Sequence, residues 1–136
     1  PVWQEQAVRA LETVADWLPD PGLLCVENLE KCDPAAFEAV LDRVPVSRTV
    51  DIGHLWLEGR DPVPALKSWL PRARVIHLHG VGDRDHQSLA LMPPEKREPV
   101  LALLAASFSG IVTLEVFNEK DLAESLAVLK QAEERA

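Results

Sequence analysis

Cysteine is scarce in this chain. Cys25 and Cys32 are the only two, one in an apolar run and one just after it, and they form no CxxC pair. That excludes a disulfide framework, and both thiols are expected to be reduced and structural. Basic residues are in the minority, 14 Lys and Arg against 22 Asp and Glu, which gives a formal net charge of −8. An acidic chain repels phosphate backbones, so nucleic acid is not expected as a partner. No local basic patch offsets this, because Lys67, Arg72 and Arg74 are spread around one helix-to-strand turn. No apolar run approaches the roughly 18 residues that a membrane span needs. The opening residues, PVWQEQAVRALETVADWL, are amphipathic and acidic, the wrong composition for a signal or transit peptide, and a cytoplasmic protein is expected. Neither GxGxxG nor a Walker A sequence follows any predicted strand, which weakens dinucleotide and P-loop readings.

Histidine is also sparse, with four in 136 residues, yet three of them fall in RVIHLHGVGDRDH, residues 74–86. The rest of the composition is ordinary. Hydrophobic residues make up 47%, enough for the core of one domain.

Helical and strand patterns alternate along the chain. Residues 2–18 carry Val2, Trp3, Ala7, Val8, Leu11, Val14, Ala15 and Leu18 at helical spacing, and PDPG at 19–22 stops the helix. Residues 23–27 read as a buried strand. Residues 33–44 read as a helix with Asp33 as N-cap and Pro34 in the first turn. Strands follow at 48–52, 74–79 and 111–116, and helices at 61–73, 98–108 and 119–136. The chain thus reads as one helix followed by four βα units. The expected fold is α/β, with a parallel sheet covered by helices.

The strand ends carry the chemistry. The first strand ends in Glu27, the second near Asp51 with His54 three residues on, the third in His77 and His79, the fourth near Glu115. In parallel α/β folds this edge is where ligands bind, because the βα loops gather there. Side chains alternate along a strand, so Glu27, Asp51, His77 and Glu115 converge at one rim if their faces point inward. Two Glu, one Asp and one His form a mixed N/O set suited to Mn, Mg, Co or Zn.

Each residue alone has a plainer reading. A strand-end Glu often partners a helix N-terminus or an arginine, a lone His in a strand is usually a satisfied core residue, and Asp51 with Gly53 fits turn chemistry. The conjunction of four strands ending alike favours a site. In the long loop 80–97, residues 90–97 are expected to be a solvated, flexible connection. His86 is expected to serve a second metal or a substrate phosphate, and Arg84 to bind an anion. Trp56 is expected to line the pocket, whereas Trp3, Trp17 and Trp69 are assigned to packing.

VEN, DIGH, HLHG, DRDH and TLEVF, in this order and at βα spacing, resemble the second half of a xylose-isomerase-like TIM barrel. That superfamily includes sugar isomerases and epimerases and zinc-dependent apurinic endonucleases. The resemblance implies a divalent metal held by Glu27, Asp51, His77 and Glu115, with His54 as a second-site or substrate histidine. HLHGV, DHQSL and LEVF most resemble the cobamide-remodelling phosphodiesterases, which cleave the nucleotide loop of a corrinoid. A TIM barrel has eight strands. Residues 1–136 are therefore expected to form a single C-terminal half-barrel, with the other half absent from this chain or supplied by a second copy.

Two chemistries follow for a small-molecule substrate, a corrinoid or a sugar phosphate. In the first, one or more ions lower the pKa of a water that attacks a phosphodiester, with His79 and His86 holding a second ion or orienting the phosphate. In the second, one ion grips adjacent sugar oxygens, and Glu27 and Glu115 swap a proton between neighbouring carbons. A ligand-binding barrel without turnover is the non-enzymatic alternative. The hydrolase reading uses the histidine cluster fully and is ranked first.

Overall fold

The computed structural model describes residues 2–135. Helix α1 (Val2–Ala15) leads into a 3-10 turn, Pro21–Leu23, and strand β1 (Cys25–Glu27). Then come α2 (Pro34–Leu41), β2 (Ser47–Asp51), α3 (Ile52–Leu57), α4 (Pro62–Trp69), β3 (Ala73–Leu78), α5 (Pro94–Ser107), β4 (Ile111–Leu114) and α6 (Glu119–Glu133). Ala136, the last residue of the expected closing helix, lies outside the described residues.

Aspartates open the helices. Asp33, Asp51 and Asp61 each accept a backbone N–H from the first turn of α2, α3 and α4, and Asn118 does the same for α6. A short side chain with an oxygen at this position satisfies a donor that the helix cannot pair internally. Pro34 and Pro62 follow their caps, where a missing N–H costs nothing.

The four strands form one parallel sheet in the order β1-β2-β3-β4. Asp51 lies level with His77, Glu27 with Thr49, and His77 with Thr113. The carboxylates of the outer strands are thereby staggered by two residues about a level Asp51–His77 pair. Val50, Ile76 and Leu78 face the helices and join Leu66, Leu89, Val100 and Leu104 in the main core. Alternation sends Glu27, Asp51 and His77 to the opposite face, the one not covered by helices. A smaller cluster, Val8, Ala15, Val40, Leu41, Val44 and Val46, packs α1 and α2 on the sheet's first strands.

The structure corrects the sequence reading in several places. Ile52 does not extend β2. Asp51 caps a short helix there, and what reads as turn chemistry around Gly53 is the start of α3. Leu23 and Leu24 precede β1 rather than begin it. Helix α5 starts at Pro94, not near residue 98, and Pro99 sits inside it. Its missing N–H removes one hydrogen bond in the second turn without ending the helix. Residues 90–97 are mostly exposed, as expected, but they are ordered structure and not a flexible connection. Leu89 and Met92 are buried in the core and a 3-10 turn, Leu89–Leu91, links the loop to α5.

The tryptophans divide. Trp69 is buried and lies under the Arg48 guanidinium, 5.1 Å from ring to cation. Trp3 and Trp17 are 45% and 75% exposed, so they do not pack in this chain's core. Trp56, expected to line the pocket, is a core residue with its Nε1 buried and unpaired. Both cysteines are free thiols. Among the described residues no helix is long and apolar enough to cross a membrane.

Candidate metal centre

The site grows from the ends of β1 and β2. Asn28 clamps Asp51 from the neighbouring strand. Its Nδ2 donates to the Asp51 carbonyl at 3.0 Å, and the Asp51 N–H donates to its Oδ1 at 2.8 Å. The Asp51 carboxylate, fully buried, then has one oxygen in use: Oδ1 accepts the His54 N–H at 2.7 Å as the cap of α3. One turn of helix thus brings the His54 ring over the strand end. His54 Nδ1 lies 3.0 Å from the Asn28 carbonyl. A carbonyl only accepts, so Nδ1 carries the proton and Nε2 keeps its lone pair. That Nε2 is 3.7 Å from Asp51 Oδ2 and 3.9 Å from Glu30 Oε1.

His77 is the centre of the first ligand group. Its Nδ1 lies 2.8 Å from Glu115 Oε2, 3.4 Å from Glu27 Oε1 and 3.9 Å from Asp51 Oδ2. One ligand atom from each of Glu27, Asp51, His77 and Glu115 falls within 4.8 Å of the others. Asp51 Oδ2, His77 Nδ1 and Glu115 Oε2 are all buried without a hydrogen-bond partner. Buried polar atoms are normally paired, and three carboxylates crowded on one imidazole repel each other unless a cation sits among them. The donor set, three hard oxygen ligands and one imidazole, fits a divalent ion such as Mn, Mg, Co or Zn.

Asp51, His54, His79 and His86 form a second group with the same spacing, sharing Asp51 with the first. His79 is fully buried, and its Nε2 is 3.2 Å from Asp51 Oδ1, an approach too oblique for a well-formed hydrogen bond. Burial works to raise the Asp51 carboxyl, but the His79 imidazole and the His54 N–H outweigh it and hold the group below its ordinary 3.8. Burial works to lower His79, but Asp51 beside it outweighs that and raises the imidazole above its ordinary 6.5.

The loop after β3 is a closed hairpin. Gly80 and Gln87 exchange backbone hydrogen bonds at 2.8 and 3.2 Å. A Cβ at position 80 would strike the Ser88 carbonyl, so this close approach requires glycine. The hairpin delivers His86 in a left-handed conformation, φ 53°. Its ring stacks between His79 at 4.2 Å and Phe117 at 5.0 Å. Its Nδ1 pairs with Asp85 at 3.0 Å, which lowers the Asp85 pKa, and its Nε2 is 3.7 Å from Glu115 Oε1.

The structure therefore brings together Glu27, Asp51, His54, His77, His79, His86 and Glu115, as the strand ends suggest. It leaves Arg84 exposed at the hairpin tip and Trp56 in the core. Asn28, Glu30, Asp85 and Phe117 join the site without having been assigned to it from sequence. Asn28 and Asp85 each adjoin an assigned residue, a signal that adjacency could have supplied; the ring of Phe117 is placed only by the fold.

The family model described as xylose isomerase-like TIM barrel matches residues 2–132. No curated protein matches the chain. Among solved structures, a D-tagatose 3-epimerase-like protein superposes with a TM-score of 0.79 at 18% identity, covering 96% of this chain and 54% of that one. A sugar phosphate isomerase/epimerase from Parabacteroides distasonis superposes with a TM-score of 0.53 at 18% identity, covering 74% of this chain and 38% of that one. The chain thus spans about half the length of the first of these structures. At such identities the likeness is one of fold. Four parallel βα units in sequential order, with their ligand-bearing strand ends on one rim, agree with the family match over nearly the whole chain: the chain belongs to the xylose isomerase-like TIM barrel family.

Proposed function

We propose that this chain carries the metal-binding rim of a sugar or sugar-phosphate isomerase or epimerase. The observation that carries the reading is the Glu27, Asp51, His77 and Glu115 group with its three buried, unpartnered ligand atoms. The fold likeness to a D-tagatose 3-epimerase-like protein and to a sugar phosphate isomerase/epimerase favours it over phosphodiester hydrolysis. A divalent ion, when bound there, supplies a Lewis acid for adjacent oxygens of the sugar.

The chain's own residues do the rest. Glu27 and Glu115 come from opposite edges of the sheet, and each side chain is about a third exposed, within reach of a substrate on the rim. One takes a proton from the carbon beside the sugar carbonyl. The other returns a proton to the neighbouring carbon, or to the opposite face of the same carbon. His54 Nε2, with its lone pair free, accepts a hydrogen bond from a sugar hydroxyl. Arg84, at the hairpin tip, faces solvent where an anionic end of the substrate would enter.

The barrel also needs a second set of strands. Ile111, Val112 and Phe117 at one edge, and Val2, Trp3 and Trp17 at the other, are exposed apolar residues that a further half-barrel would cover. That half comes from elsewhere in a longer protein or from a second copy.

Phosphodiester hydrolysis, including cleavage of a corrinoid nucleotide loop, is the second reading. The Asp51, His54, His79 and His86 group favours it, because a second ion there would flank the same substrate. Elemental analysis of the folded chain separates the two. One ion per chain agrees with the isomerase, and two agree with the hydrolase. Glu115→Gln should abolish metal-dependent exchange of solvent deuterium into a ketose or ketose phosphate. Exchange that survives at the wild-type rate rejects the isomerase assignment.

A further inference from the structure

We infer that His79 is a positioning residue that confines the metal-ligating Asp51 through packing and charge, not a ligand of a second ion. The inference rests on the metal reading of Glu27, Asp51, His77 and Glu115 above. It starts from the two oxygens of Asp51, which face different partners. Oδ1 accepts the His54 N–H at 2.7 Å and lies 3.2 Å from His79 Nε2. Oδ2 has no hydrogen-bond partner and faces the His77 side of the cluster. One oxygen is anchored and the other is left for the ion.

The protonation of His79 follows from its other nitrogen. The His86 backbone N–H donates to His79 Nδ1 at 3.0 Å. Nδ1 therefore holds a lone pair, and in the neutral ring the proton is on Nε2, the atom beside Asp51 Oδ1. Nδ1 is also 3.2 Å from the Gly80 carbonyl. In the neutral ring a proton on Nδ1 pointing there would set two N–H groups against each other, so the His86 contact excludes that tautomer. His54 has the reverse arrangement: its Nδ1–H donates to the Asn28 carbonyl and its Nε2 is free. Two histidines touching one aspartate thus present opposite faces, one a lone pair and one an N–H.

Packing fixes the ring in place. It is fully buried, stacked on His86, and lies against the backbone of Gly53, where any Cβ would strike it. A ring so confined has little freedom to turn its Nε2 from the carboxylate to an ion.

The test loads the whole chain with Zn²⁺ and reads two quantities. Elemental analysis should give one ion per chain in wild type and in His79→Gln, whose amide N–H can replace Nε2–H. His79→Ala should still bind one ion, about 10–100-fold more weakly, as expected for loss of a group that orients a ligand. Ring ¹⁵N–¹H spectra should show His79 protonated at Nε2 before and after loading. A second Zn²⁺ lost on His79→Gln, or an Nε2 that gives up its proton on loading, overturns the inference. If His79→Ala does not fold, His79→Gln and the spectra decide alone. If no Zn²⁺ binds, the metal reading fails, and the metal-free spectrum at a pH where the ring is neutral still judges His79: a ring protonated at Nδ1 with Nε2 bare refutes its contact with Asp51.

Discussion

Asp51 is the residue on which most of the site converges, and its environment makes its ionisation a stability determinant. Its carboxyl is held below the ordinary 3.8, so its contribution is present above that pH and is lost as pH falls through the lower folded value. His79 works in the other direction. Its imidazole is raised above the ordinary 6.5, so its contribution is complete below 6.5 and is lost as pH rises through the folded value. Denaturant unfolding of the metal-free chain should therefore show stability declining above pH 6.5, and His79→Gln should flatten that decline. Asn28→Ala should act without any titration. It removes both bonds to the Asp51 backbone and the side chain that ties two strand ends together. The expected cost is about 1–3 kcal/mol, the penalty for leaving buried polar groups unpaired, with weaker metal binding in isothermal titration.

At the scale of elements, the short helix α3 does two tasks from one strand end. It takes its cap from Asp51 and brings His54 to the rim one turn later. Gly53, in its first turn, leaves the space that the His79 ring fills. Gly53→Ala should displace that ring, destabilise the chain by about 1–3 kcal/mol through overpacking, and lower metal affinity together with stability. Asp61→Ala is the control at the same scale. It removes the cap of α4, away from the site, and should cost about 1 kcal/mol in thermal or chemical unfolding while metal affinity stays unchanged.

At the scale of the molecule, the consequence of four strands is an open sheet. Ile111 and Val112 are 65% and 42% exposed along β4, and Leu122 and Leu126 on α6 are exposed as well. Apolar strand edges of this kind invite pairing with another strand. Sedimentation of the 136-residue chain should show concentration-dependent self-association, and Ile111→Lys should weaken it. An Ile111→Lys chain that associates as strongly as wild type would remove this edge as the contact surface.

The βα alternation, the Asp33 cap and the ligand-bearing strand ends were legible from sequence because each rests on local rules: periodicity, turn chemistry, and the parity of side chains along a strand. Glu27, Asp51, His77 and Glu115 could be grouped for the same reason, since parallel strands place their C-terminal ends on one edge. Helix α3 was not legible, because Asp–Ile–Gly–His fits a turn and a helix start equally well until the core fixes Ile52 and Leu55. The fates of the tryptophans were not legible either. Helical spacing says which face a residue lies on, and only the neighbouring elements decide whether that face is covered. Trp69 is covered by the sheet, Trp3 and Trp17 are not, and Trp56 turned from pocket wall to core. The division of Asp51 between an anchored oxygen and a free one belongs wholly to the tertiary structure. It depends on a loop hairpin, a neighbouring strand end and a helix cap meeting within a few ångströms, and no pattern along the chain encodes that meeting.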